Sequence, residues 1–113
     1  MNRLMGRLRA MYGKISNAEA RELMGGVPWK TITDHVLAGL KEGLTIQDMN
    51  IDHIIPYAAT RFGIDREHIS HYTNLELLTK AEHAEKSIMD YRLRSDDCND
   101  PRVRMWQLIS GAA

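Results

Sequence analysis

The chain has 113 residues, enough for one domain with one modest core. It is 43% hydrophobic and 27% charged, which excludes a disordered chain, and no apolar run approaches the roughly 18 residues of a membrane span. Its 15 basic and 15 acidic residues cancel, against coating nucleic acid by bulk charge, and the single cysteine, Cys98, excludes an internal disulfide framework or a multi-cysteine zinc site.

Residues 1–18 hold Arg3, Arg7, Arg9 and Lys14 and no acid. This basic stretch lacks an apolar h-region and a small-residue cleavage site, so no signal peptide is expected, and a reducing cytoplasm is the expected compartment. The arm reads either as a phosphate-contacting element or as a solvated helix face. A short helix is predicted over residues 2–12, with Leu4, Met5, Leu8 and Met11 on one side and Gly13 breaking it. Ser16 and Glu19 form a capping box, and a helix should run from there to about Met24, where Gly25-Gly26 ends it. Pro28 suits a helix N1 position. Ile32, Val36 and Leu40 recur every fourth residue, and Gly43 closes the pattern.

The character changes at residue 50. Asn50 to Ile55, followed by Pro56, reads as a strand. Residues 57–73 read as a loop with one helical turn near Asp65–Ile69, and Leu75 to Leu78 as a second strand. Thr79 and Glu82 form another capping box, starting a helix to about Leu93. A polar turn precedes a last helix over 102–109, with Val103, Trp106 and Ile109 on one side. The expected fold class is therefore α+β in one compact domain: a helical region over 1–49, a strand–loop–strand–helix core over 50–93 and an extension over 94–113. Around the helix after the second strand, Ala81, Ala84, Ile88 and Tyr91 share an apolar side predicted to pack on the strands. His83 and Lys86 then fall on a solvent-facing stripe.

The core places Asp52-His53, Asn74 and His83 in an order suited to holding a hard divalent cation and activating a water beside it. Asp52 offers a carboxylate oxygen and His83 an imidazole nitrogen. His53, with a reference pKa near 6.5, can take a proton from water at neutral pH. A carbonyl that holds its other ring nitrogen would fix the tautomer, and Asn74 could supply it. Adjacent strand residues point to opposite faces, so Asp52 and His53 serve one site only where the strand end twists or bulges.

Ile51-Asp52-His53-Ile54-Ile55-Pro56, then Asn74-Leu75-Glu76-Leu77-Leu78, then Glu82-His83-Ala84-Glu85-Lys86-Ser87 resembles the HNH endonuclease family over about residues 49–90. The stretch from Leu23 to Thr45 also looks like the segment preceding this motif in small phage and prophage HNH nucleases. The resemblance implies a ββα-metal core with the N-terminal helices packed against it, and one catalytic divalent ion. Asp52 and His83 would hold the metal, His53 would be the general base, Asn74 would orient its ring or shape the loop, and Lys86 would touch a phosphate. Magnesium or manganese is the expected metal. A histidine at position 83, where many relatives have asparagine, adds nickel and zinc as candidates. The cysteine pair of many relatives is absent, so the N-terminal helices must support the fold. The implied activity is hydrolysis of phosphodiester bonds in DNA, duplex by expectation, nicked by a monomer or cut on both strands by a homodimer. The acid-free charge run separately suggests that Arg3, Arg7, Arg9 and Lys14 contact phosphates. Two alternatives stand: a DNA-binding module that keeps the fold without cutting, and an RNA- or toxin-type nuclease. His35, His68 and His71 read as structural or exposed histidines, Trp29 and Trp106 as core residues before base-stacking ones, and Cys98 has no assigned role.

Overall fold

The alternation Asn50-Ile51-Asp52-His53 against Leu75-Glu76-Leu77 gives the central hairpin one apolar and one polar face. The computed structural model describes residues 3–111, so the expected helix start at residue 2 and the outer ends of the 1–49 and 94–113 regions lie outside it. Strand β1 (Met49–His53) pairs antiparallel with β2 (Leu75–Thr79), setting Ile51 opposite Leu77, Asp52 opposite Glu76 and His53 opposite Leu75. Met49, Ile51, Leu75 and Leu77 therefore share one face with His53, while Asn50, Asp52, Glu76 and Leu78 share the other.

Three helices cover the apolar face: α1 (Arg3–Ala10), α2 (Asn17–Leu23) and α3 (Trp29–Leu37). Leu4, Leu8, Ala20, Met24, Ile32 and Val36 join Met49, Leu75 and Leu77 in one buried cluster. Each large apolar side chain so buried contributes roughly 1.5–3 kcal/mol. Ser16 accepts from Glu19 N while Glu19 returns to Ser16 N, so the first capping box forms as predicted. Pro28 stands at the N-cap of α3, one residue before the expected N1. That helix ends at Leu37 and not near Gly43. Gly39 and Leu40 donate to the carbonyls three residues back, tightening the chain into a turn beside Leu77, and Leu40 is left exposed.

β1 stops at His53, two residues short of the expected strand, because Asn74 takes over the backbone beyond it. Ile54 N donates to Asn74 O, and the Asn74 side chain holds both backbone polar groups of Ile55. The connection carries 3-10 turns at Tyr57–Phe62 and Tyr72–Asn74, and α4 (Arg66–Ser70), N-capped by Asp65, supplies the expected helical turn. Ile55, Ala59, Ile64 and Ile69 form a second small core with Leu93 and Trp106. Trp106 comes from α6 (Pro101–Ser110), on which Ile109, expected on the same side, is 63% exposed.

The second capping box also forms, from Thr79 and Glu82, and starts α5 (Lys80–Tyr91) directly after β2. The helix turns the opposite way from the sequence expectation. Ala81 and Ala84 are exposed, and Ile88 and Tyr91 are 61% and 69% exposed. Glu82, His83, Lys86 and Asp90 are the half-buried positions. The physical reason is the hairpin's free face: it is polar, so the helix that crosses it presents charge and leaves its apolar stripe outside. Among the described residues no helix is long and apolar enough to cross a membrane.

Candidate functional site

Asp52 projects from the polar face toward α5. Its Oδ2 lies 2.8 Å from Lys86 Nζ, yet no aligned hydrogen bond reaches this buried oxygen, so the contact is ionic. Lys86 Nζ donates to Asp90 Oδ2 at 2.6 Å and to the His53 carbonyl at 2.8 Å. Asp90 is bridged in turn to Arg102, which also clasps its own helix cap, Asp100. Lys86 was expected to face a phosphate. Its side chain is only 15% exposed and is engaged internally, because the half-buried carboxylates of Asp52 and Asp90 need a cation between them. Glu76, opposite Asp52 in the ladder, completes an acidic rim; burial pushes its carboxyl above the usual range, Lys86 opposes this, and Asp52 adds to it.

His83 lies on α5 one turn before Lys86, and residues three apart share a helix face. It is half-buried. Asp52 Oδ2, a buried oxygen with no aligned hydrogen-bond donor, and the half-buried His83 are the donor types a hard divalent ion takes, while the Lys86 ammonium occupies the carboxylate here. Among the described residues no three His, Cys, Asp or Glu side chains converge as a ready cage.

His53 leaves β1 on the other face. The register runs regularly through it, so the expected twist or bulge that would turn both side chains into one site is not found. Its ring is nearly buried and stands edge-on between Tyr12 and Tyr57, with centroids 6.1 and 5.0 Å away. Burial pushes its pKa below the ordinary histidine value; Asp52 opposes the shift and Lys86 adds to it. Burial thus favours the uncharged ring. An open cleft of about 570 Å³ lies on this side, lined by Tyr12, Tyr57, Thr60, Arg66 and Ser70 among others.

Asn74 does not touch the His53 ring. Its Oδ1 accepts from Ile55 N at 2.9 Å, and its Nδ2 donates to Ile55 O and Ile69 O at 3.0 and 2.8 Å. Of the two roles expected for it, shaping the loop is the one its contacts perform. The basic arm is also partly withdrawn from solvent. Arg7 donates to Ile46 O and Met49 O, pinning the start of β1, because these carbonyls have no strand partner there. Arg9 reaches Ile15 O at 3.4 Å across the turn after α1. Arg3 and Lys14 are exposed. His35 bonds Leu75 O, and His71 packs beside Gly25 and Tyr72, so both are structural. Cys98 packs against the second core.

Glu76, Asp90, Tyr12 and Tyr57 were not singled out from the sequence. Aligning the two strands would have set Glu76 opposite Asp52, and the Lys86–Asp90 spacing is that of a helical ion pair. No local signal marks the tyrosines. Compared with protein-family models, curated proteins and solved structures, the chain matches none.

Proposed function

We propose that this protein is a divalent-metal-dependent endonuclease of the HNH type that hydrolyses phosphodiester bonds in DNA. The observation that carries the reading is the hairpin-then-helix unit of β1, β2 and α5, in which a strand-end carboxylate meets the helix and the next residue is a buried, neutral histidine. This matches the order that the motif resemblance implies for a ββα-metal core.

Asp52 and His83 are the residues that would hold the metal. When bound, the ion supplies charge neutralisation at a phosphate oxygen and at the leaving 3′-oxygen. His53 accepts the proton of the attacking water, for which a pKa below the ordinary value keeps it unprotonated at neutral pH. Asp52 and His53 leave the strand on opposite faces, so for both to serve one phosphate it would have to lie across the end of β1. Asn74 fixes that end through Ile55. Lys86, held by Asp90 and the His53 carbonyl as well as by Asp52, would have to leave these partners to meet a phosphate.

One observation favours a second reading. The Lys86 ammonium already satisfies Asp52 and Asp90 in the way a structural cation would, as expected of a DNA-binding module that no longer cuts. Supercoiled plasmid incubated with the protein and manganese, with and without EDTA, separates the two. The endonuclease reading expects open-circular or linear DNA only without EDTA. Binding to plasmid with no strand break in manganese, magnesium, nickel or zinc would establish the module instead.

A further inference from the structure

Tyr12 lies in the turn after α1, far from the residues that resemble a nuclease motif, yet its hydroxyl reaches the His53 ring. Its Oη is 3.0 Å from the Ser70 carbonyl and 3.4 Å from His53 Nε2. A carbonyl only accepts, so the single phenol proton goes to Ser70 O and a lone pair of Oη faces the imidazole. Two lone pairs would repel there. The contact is attractive only if Nε2 carries a hydrogen, which leaves Nδ1 as the bare nitrogen.

We propose that Tyr12 is a positioning residue for His53, accepting the Nε2 hydrogen so that the ring is held in one tautomer with Nδ1 as its basic atom. The idea rests on the nuclease reading for its consequence in catalysis, and on geometry alone for the tautomer. Three further observations support it. Burial first, and Tyr57 second, push the Tyr12 hydroxyl well above the ordinary phenol range, so it remains a donor to Ser70. Tyr57 Oη bonds Ser70 Oγ at 2.8 Å, so both tyrosines that flank the ring are anchored at one nearly buried serine. Their rings stand at 86° and 69° to the imidazole and pack against it edge-on. The N-terminal helices thus lend the site a group as well as support.

The test uses the full-length metal-free protein, nitrogen-labelled, at about pH 8 where an imidazole is neutral. Two-bond proton–nitrogen spectra of His53 should show a protonated Nε2 and a bare Nδ1. In Tyr12→Phe, which keeps the ring and its packing, the two nitrogen shifts should move toward each other as the tautomers mix. With manganese and plasmid, kcat of this variant should fall about tenfold or more with KM unchanged, the scale of an orienting contact. In a His53→Ala background the same change should cost nothing further. A protonated Nδ1 in the native protein, or unchanged nitrogen shifts in Tyr12→Phe, overturns the proposal whatever kcat does. If the native protein does not cut DNA at all, the nuclease reading falls and the nitrogen shifts still decide the role of Tyr12.

Discussion

At the scale of single residues, the site is governed by which polar groups are satisfied inside the protein. Asn74 is 5% exposed and uses both ends of its amide on Ile55 and Ile69. Asn74→Ala leaves three backbone groups without partners and should cost about 2–4 kcal/mol in a urea titration, taking the net cost of each lost bond near 1 kcal/mol. His53 is held neutral by burial, so its folded pKa lies below the unfolded value of about 6.5. As pH falls through 6.5 the unfolded chain gains a proton first, and stability declines until the folded pKa is also passed. Melting temperatures measured between about pH 7 and 5 should show this decline, and His53→Gln should lack that component. In the nuclease reading, the acid limb of the rate profile should likewise lie below 6.5 at saturating metal. A limb above that value contradicts the neutral, buried base. The spacing that singles out Asp52, His53 and His83 was legible in the sequence, but the partner of Asn74 was not. It bonds backbone, and backbone groups leave no trace in the side-chain sequence.

At the scale of elements, local rules held and the facing of α5 did not. Both capping boxes formed where Ser16–Glu19 and Thr79–Glu82 stand, because each is completed within four residues of chain. Glu82 is held down to about 2 by the Thr79 backbone and by Lys41, so its contribution is present above the ordinary carboxylate range and is lost as pH falls through about 2. Glu82→Gln should flatten that part of an acid titration of helicity. Thr79→Ala should cost about 1 kcal/mol of stability by denaturant unfolding. The apolar wheel of Ala81, Ala84, Ile88 and Tyr91 misled because a hydrophobic stripe says only what would prefer burial. The sheet face available to α5 carries Asp52 and Glu76, and the charged stripe of Lys86 and Asp90 met it instead. The alternation within the hairpin was the signal that could have corrected the reading.

At the scale of the whole molecule, the N-terminal helices hold the first core together. Leu4 and Leu8 are buried with Met49 and Leu75, so α1 belongs to the folded unit. Leu8→Ala should cost about 2–5 kcal/mol in thermal or chemical unfolding, a large share of what a domain of this size possesses. Deleting residues 1–14 should therefore unfold the protein, which makes truncation a poor probe of DNA contact. Arg3→Glu with Lys14→Glu is the better probe, since both side chains are exposed. If they touch phosphates, the slope of log affinity against log salt on duplex DNA should lose about 0.9 for each. An unchanged slope assigns the arm to the fold alone.

The account stands most directly on what His53 does beside Asp52 and His83. Plasmid cleavage in manganese and manganese binding by calorimetry should be measured side by side for the native protein, His53→Ala, Asp52→Ala and His83→Ala. The expected result is cleavage by the native protein only, with metal affinity kept in His53→Ala and weakened in the other two. Cleavage surviving in His53→Ala, or metal affinity lost in that variant and kept in Asp52→Ala and His83→Ala, would contradict it.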